Sequence, residues 1–449
     1  MKTQVEVVSL PVEAVLNIAC YIASPTDLFA FLEALRPHNL LGPLEHLWQL
    51  GLTFDHCELW PELTISASDP PEYTASVKEI IKYYPLIYII DMHDLEWISK
   101  YVSPTTLQEW YFTTALPTDE FWSIWSQFRI SRVYITTNTR IGDRAHSLPE
   151  SFQSALPNLH YLQSLEVRGA IQSIDAILAF AATSSYLIDL KFADAWSTIT
   201  TDVTPRMLRD LLQWFRRQRV QAFMFSNWSW NVNDVALKNS FYDAMFSWST
   251  LDKLVCTSVD LSDVDFSNKA LNLSSLCFGW CGLHSDQIFA IANQLAGSKM
   301  THFSLSGYYD ANVDGVVHLF EKLPETSIQA FELSACRFEM STWSRLATLL
   351  SKFRVQNFIM KSQALPDGAA QLIAQAIRDN DTIRELDVTN CNIDVQGIAS
   401  LIESGTHPER GAQLSSIKYS NYSFTTIELA ALRSLATERG IANIKDTMW

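Results

Sequence analysis

Five stretches of this chain repeat one pattern at a nearly constant interval, and a chain built this way has to stack. LSSLCFGWCGL from Leu273, IQAFELSACRF from Ile328 and IRELDVTNCNI from Ile383 share apolar residues at positions 1, 4, 6 and 11 and a cysteine at position 9. MTHFSLSGYYD from Met300 and VQNFIMKSQAL from Val355 are looser copies. The fourth-position residues Leu276, Phe303, Phe331, Phe358 and Leu386 lie 27, 28, 27 and 28 residues apart. So short a unit cannot bury its own apolar face, so neighbouring units must cover one another. Positions 4 and 6 alternate with polar neighbours, which predicts a short parallel strand. Position 9 falls where the chain turns away. A Cys or Asn there can satisfy backbone groups while staying buried.

Helical periodicity follows each strand, over 285–297, 312–323, 340–353, 366–380 and 394–404. Asp286, Asp367 and Asp394 fall near the predicted helix starts, where a carboxylate meets free N–H groups and the positive dipole end. Towards the N-terminus the strand anchors are Leu254, Phe223, Leu190, Leu165, Val133, Trp110 and Ile87, with gaps of 22 to 33 residues. LDKLVCTSVDL from Leu251 has almost no helix after it. LSSIKYSNYSF from Leu414 supplies a last strand and 426–440 a last helix. A length of 449 residues would suggest about three domains. The repeat predicts instead one α/β solenoid of about 13 units over 84–449, with a hinge or first irregular repeat over 61–83.

The pattern resembles the leucine-rich repeat of the ribonuclease-inhibitor type. The resemblance implies a horseshoe with parallel strands concave and helices convex, holding a protein partner on the concave face. The exposed positions 3, 5, 7 and 8 give Trp280, His302, Glu332, Lys361, Glu385, Asp387 and Asn390 as substrate-binding candidates. Glu166, Arg168, Asp189, Lys191, Met224 and Asn227 extend that face. Trp280 reads either as a binding anchor or as a ring packed into the stack. Glu385 and Asp387, two apart on one strand face, read as solvated binding surface rather than as an acid/base pair.

Residues 1–60 differ. A Leu10-Pro11 start precedes a helix with Val15, Ile18 and Ile22 on one face. Ser24, Pro25 and Asp27 then open a second helix carrying Leu28, Phe31, Leu32 and Leu35, and Leu44, Leu47, Trp48 and Leu50 form a third segment. Pro37 ends the second helix at or before Arg36. The head resembles an F-box over about 40 residues, and the order of head and repeats is that of F-box proteins with leucine-rich repeats. The resemblance implies a Skp-family adaptor and a cullin–RING ubiquitin ligase as partners. The adaptor-binding residues would be Leu10, Pro11, Val15, Ile18, Ile22, Leu28, Phe31 and Leu35. The same residues also read as a helical cap over the end of the solenoid, which would leave a leucine-rich repeat scaffold or inhibitor with no ubiquitin role.

Composition narrows the other classes. A net charge of −16 argues against nucleic acid as a partner. No apolar run approaches the roughly 18 residues that span a bilayer, and the N-terminus lacks the apolar core of a signal peptide. Seven cysteines without a CxxC pair make no disulfide framework, and the compartment expected is cytoplasmic or nuclear. No phosphate loop, nucleophile elbow or HExxH motif occurs, so no enzyme, metal or cofactor is expected. Arg216, Arg217 and Arg219 read as helix C-terminal cations that favour the dipole, with an anion or partner site as the alternative.

Overall fold

The computed structural model describes residues 11–136, 148–169, 174–193, 200–308, 312–420 and 424–447, with residues 446 and 447 as backbone only. The chain divides into two compact units, Met1–Ser197 and Thr198–Trp449. Both are α/β, with parallel strands alternating with helices.

In the first unit, helices Val12–Tyr21, Pro25–Leu35, Leu44–Leu50 and His56–Leu59 precede six strands. These are β1 (Leu63–Ser66), β2 (Leu86–Ile90), β3 (Leu107–Phe112), β4 (Ile130–Thr136), β5 (Ser164–Arg168) and β6 (Asp189–Ala193), paired in parallel in chain order. Residues 61–83 therefore hold the first strand and a helix, Pro71–Ile80. Trp110, Phe112, Trp122, Trp125 and Phe152 fill the core behind β3, all at most 1% exposed. Trp122 and Trp125 meet edge to face at 5.1 Å.

In the second unit, β7 (Thr201–Val203) and β9 (Trp228–Trp230) form a separate parallel pair. The main sheet runs β8 (Ala222–Ser226), β10 (Lys253–Thr257), β11 (Ser275–Gly279), β12 (His302–Ser306), β13 (Ala330–Ser334), β14 (Asn357–Ile359), β15 (Glu385–Val388), β16 (Ser416–Ser420) and β17 (Asn443–Thr447). The five repeat helices lie at Ser285–Leu295, Val313–Lys322, Met340–Leu350, Ala369–Arg378 and Val395–Gly405. After β10 only the short 3-10 turn Phe266–Asn268 forms. A last helix, Thr426–Glu438, leads into β17, a strand that the repeat pattern did not predict.

Register follows the fourth position. Phe223, Leu254, Leu276, Phe303, Phe331, Phe358, Leu386 and Ile417 face one another strand by strand. Phe331 lies between Phe303 and Phe358, with stacked rings at 6.3 and 6.1 Å. The alignment of Ile87 with Trp110 needs correction. The ladder sets Ile87 opposite Gln108 and Ile89 opposite Trp110. β3 has three inward positions, Gln108, Trp110 and Phe112, so the frame moves by two residues there. The buried Gln108 is satisfied by the Trp110 indole, which donates to it at 3.0 Å.

Two backbone devices recur at the strand ends. In three repeats position 9 donates its side chain to the position-6 carbonyl of the preceding repeat. Cys281 reaches Cys256 O at 3.1 Å, Gln363 reaches Leu333 O at 2.5 Å, and Cys391 reaches Met360 O at 2.9 Å. Cys336 instead turns to Ser334 O within its own strand, at 3.3 Å. Position 8 is left-handed: φ is 50° at Asp91, 108° at Gly169, 56° at Asn227, 52° at Ser258, 58° at Trp280, 83° at Gly307, 51° at Ala335 and 53° at Ser362. At each of these eight, the backbone N–H donates to the position-7 carbonyl of the next strand, over 2.6 to 3.0 Å. The twist adds one ladder bond before the chain leaves the sheet. Asn390, also left-handed at 60°, donates instead to Ser420 Oγ at 2.7 Å.

Candidate functional site

Three surfaces carry the candidate residues. On the head, Ser24 caps the second helix by accepting from Asp27 N–H at 3.3 Å, and that helix stops at Leu35, before Pro37. Arg36 then lies over the Trp48 ring, 3.4 Å from its centroid, and donates to Glu45 at 3.3 Å. Of the adaptor-binding candidates, Val15 and Leu28 are fully buried and form the head's own core, so neither offers a contact surface. Ile18, expected on the same face as Val15, is 43% exposed. At 100° per residue the inward stripe runs through Val15 and Ala19, which turns Ile18 and Tyr21 outward. Pro11 is exposed and Ile22, Phe31 and Leu35 are half-buried. Leu10 lies outside the described residues.

On the exposed strand face of the second unit, the candidates do not converge on one pocket. Trp280 is 47% exposed at the end of β11, and its indole lies against the Gly307 backbone. A Cβ at Gly307 would come within 2.4 Å of that ring, so glycine there makes room for it. His302 is exposed at the opposite end of β12, and its Nδ1 shares a 2.8 Å hydrogen bond with Thr301. Asn390 sits four strands from Trp280, roughly 19 Å across the sheet at the usual strand spacing. Glu332 is half-buried and accepts from Ser334 at 2.7 Å, and Glu385 is exposed.

Asp387, expected as an exposed contact, is buried. Its carboxylate accepts from Thr389 N–H at 3.1 Å and from the Thr389 hydroxyl at 2.5 Å. Lys361 and Lys418 cover it from the flanking strands at 3.5 and 4.0 Å. What faces outward is the lysines, each a little over 40% exposed.

The corresponding face of the first unit carries a tyrosine ladder that the repeat register alone did not pick out. Tyr88 and Tyr111 meet at 6.1 Å, Tyr111 and Tyr134 at 5.7 Å, and the Arg168 guanidinium lies 5.3 Å over Tyr134. Tyr111 donates to Glu109 at 3.0 Å and Tyr88 donates to Glu62. Burial and the Glu109 carboxylate push the Tyr111 phenol up to about 12, so it remains a donor. Glu109 pairs with Arg132 at 3.4 Å, Glu166 with Arg168 at 2.6 Å, and Asp189 with Lys191 at 2.7 Å. A signal was present: Tyr88, Tyr111 and Tyr134 are each 23 residues apart.

Among the described residues, no group of three or more His, Cys, Asp or Glu could hold a metal ion, and no helix is long and apolar enough to cross a membrane. No protein-family model matches the chain, and no curated protein matches it.

Proposed function

We propose that this chain is a non-catalytic receptor whose repeats present their strand face to a protein partner and whose head docks a Skp-family adaptor of a cullin–RING ubiquitin ligase. The observation that carries the first half is the exposed strand face. Trp280 is an exposed aromatic in one unit, and in the other the Tyr88–Tyr111–Tyr134 ladder stands among paired charges of both signs. Large aromatics and arginines within a polar surround suit protein recognition. The adaptor half is supported by Pro11, Ile18 and Tyr21, the last 91% exposed, which an adaptor would cover. Ubiquitin transfer would belong to other subunits, in the cytoplasm or nucleus.

Affinity recovery with the full chain, scored for adaptor and cullin, tests the reading. The wild type is expected to recover both and an Ile18→Glu/Tyr21→Ala variant neither. Both side chains are exposed, so the variant should keep the wild-type circular dichroism. Equal background recovery from both proteins ends the adaptor reading. Trp280→Ala should lose partners that the wild type retains.

A second reading, a repeat scaffold or inhibitor whose head is only a cap, is favoured by the head's junction with the first repeats. The Trp60 indole donates to Ile22 O at 2.6 Å, Tyr84 donates to Leu59 O at 2.8 Å, and Phe54 meets Tyr73 at 4.9 Å. A terminal unit covers the apolar edge of an array in this way. Deleting residues 11–50 separates the two: repeats that aggregate favour the cap, and repeats that stay folded favour a separable box.

A further inference from the structure

The helix Pro205–Arg217 stands against the charge balance of the chain. The chain carries −16, yet this helix holds Arg206, Arg209, Arg216 and Arg217 against Asp210 alone. Its inner face, with Met207, Leu208, Leu211, Trp214 and Phe215, is buried and accounts for the fold. The cations are a separate matter. The helix dipole favours Arg216 and Arg217 in the last turn, but it disfavours Arg206 in the first turn and does nothing for Arg209. Two arginines on other helices of this unit are matched: Arg345 lies 3.5 Å from Asp314, and Arg378 lies 3.5 Å from Glu409. Arg209 and Arg216 have no carboxylate within 4.0 Å among the described residues.

These arginines line a groove. Arg209, Leu212, Gln213, Arg216 and Arg217 face Leu237 and Ser240 of the helix Val235–Ser247 around a cavity of about 380 Å³. Among the described residues, the lining holds three guanidiniums and no carboxylate. Guanidinium forks match carboxylates in two-bond geometry. Leu212 and Leu237 supply an apolar floor, and the Ser240 hydroxyl can bond a peptide backbone. Seven helical residues separate Arg209 from Arg216, a rise of about 10 Å. Three residues of extended polyproline-II chain, one full turn with both ends on the same face, cover about 9 Å. The aromatics of this helix, Trp214 and Phe215, are buried, so no platform for base stacking faces the groove.

We propose that this groove docks an extended, acidic peptide segment of a partner protein, with carboxylates three residues apart meeting Arg209 and Arg216. The site is separate from the strand face and does not rest on the ubiquitin reading. The test is fluorescence anisotropy on the full chain with a labelled twelve-residue peptide, four repeats of Glu-Ser-Leu, against its Gln-Ser-Leu counterpart. The Glu peptide should bind, more weakly as salt rises, and the Gln peptide should not. Arg209→Gln/Arg216→Gln should weaken binding at least about tenfold with an unchanged thermal midpoint, while Arg345→Gln and Trp280→Ala should bind as wild type does. Equal binding by the double variant, or by the Gln peptide, would overturn the proposal. So would an oligonucleotide of the same charge that binds as tightly and loses affinity in the same variant.

Discussion

Trp280 holds φ at 58°, a conformation that a bulky L-residue adopts at a cost of roughly 1–2 kcal/mol. The strain has a structural reason, since each left-handed position 8 gains a hydrogen bond to the next strand. Ala335, at 51°, bears the same cost with little side chain to compensate. Ala335→Gly should therefore raise stability by about 0.5–1 kcal/mol and Ala335→Val should lower it, read as the urea midpoint. No residue type announced this device, because Asp, Gly, Asn, Ser, Trp and Ala all occupy it. The cysteines were more legible, because position 9 recurs in the pattern. Burial pushes the Cys281, Cys336 and Cys391 thiols up to about 12. Alkylation at pH 8, mapped by mass spectrometry, should label the exposed Cys20 and Cys57 first and the half-buried Cys277 and Cys391 later. Cys256, Cys281 and Cys336 should be labelled only after unfolding. Early labelling of any of these three would contradict the buried role.

Elements of the second unit were read well because apolar alternation and then helical spacing come round every 27 or 28 residues. The first unit was read less well. Its gaps vary, β3 shifts the frame, and a short first helix left the face through Ile18 ambiguous with that through Ala19. The corners between helix and strand depend on single polar residues that no period marks. Asn380 is fully buried after the helix Ala369–Arg378. It donates to Leu350 O and Phe353 O at 3.0 and 2.9 Å and accepts from Thr382 and Ile383 N–H, each at 2.9 Å. Asn380→Ala leaves these groups unpaired in a dry corner and should cost about 2–4 kcal/mol, measured by denaturant unfolding. A loss below the scatter of surface substitutions would mean that water replaces the side chain. At the last helix, the Thr425 backbone N–H and then its hydroxyl hold the Glu428 carboxyl below its usual 4.5. A lowered folded pKa stabilises the helix start fully above the ordinary glutamate range, and that contribution is lost as pH falls through the lowered value. A carbon-13 titration of Glu428 should give a midpoint under 4.5, and Thr425→Ala should return it to the usual value.

At the scale of the whole molecule, the repeat makes stability a sum of neighbour terms rather than a property of one central core. Within the second unit, Phe303, Phe331 and Phe358 stack in register, and Phe320 and Phe353 close on Phe331 from the helix side at 5.6 and 6.0 Å. Removing the middle ring opens a cavity between two repeats, at a cost of about 3–5 kcal/mol. If coupling passes mainly between neighbours, the damage should decay with distance along the chain. Phe331→Ala should then speed amide exchange most in β12, β13 and β14 and in the helices Val313–Lys322 and Met340–Leu350, less in β10 and β16, and not at all in β1 to β5. Hydrogen exchange read by mass spectrometry, peptide by peptide, checks this directly. A uniform loss of protection, reaching the Trp110–Trp125 cluster of the first unit as strongly as β13, would show one all-or-none core. The division of stability into repeats would then be false, even though the division of the sequence into repeats is plain.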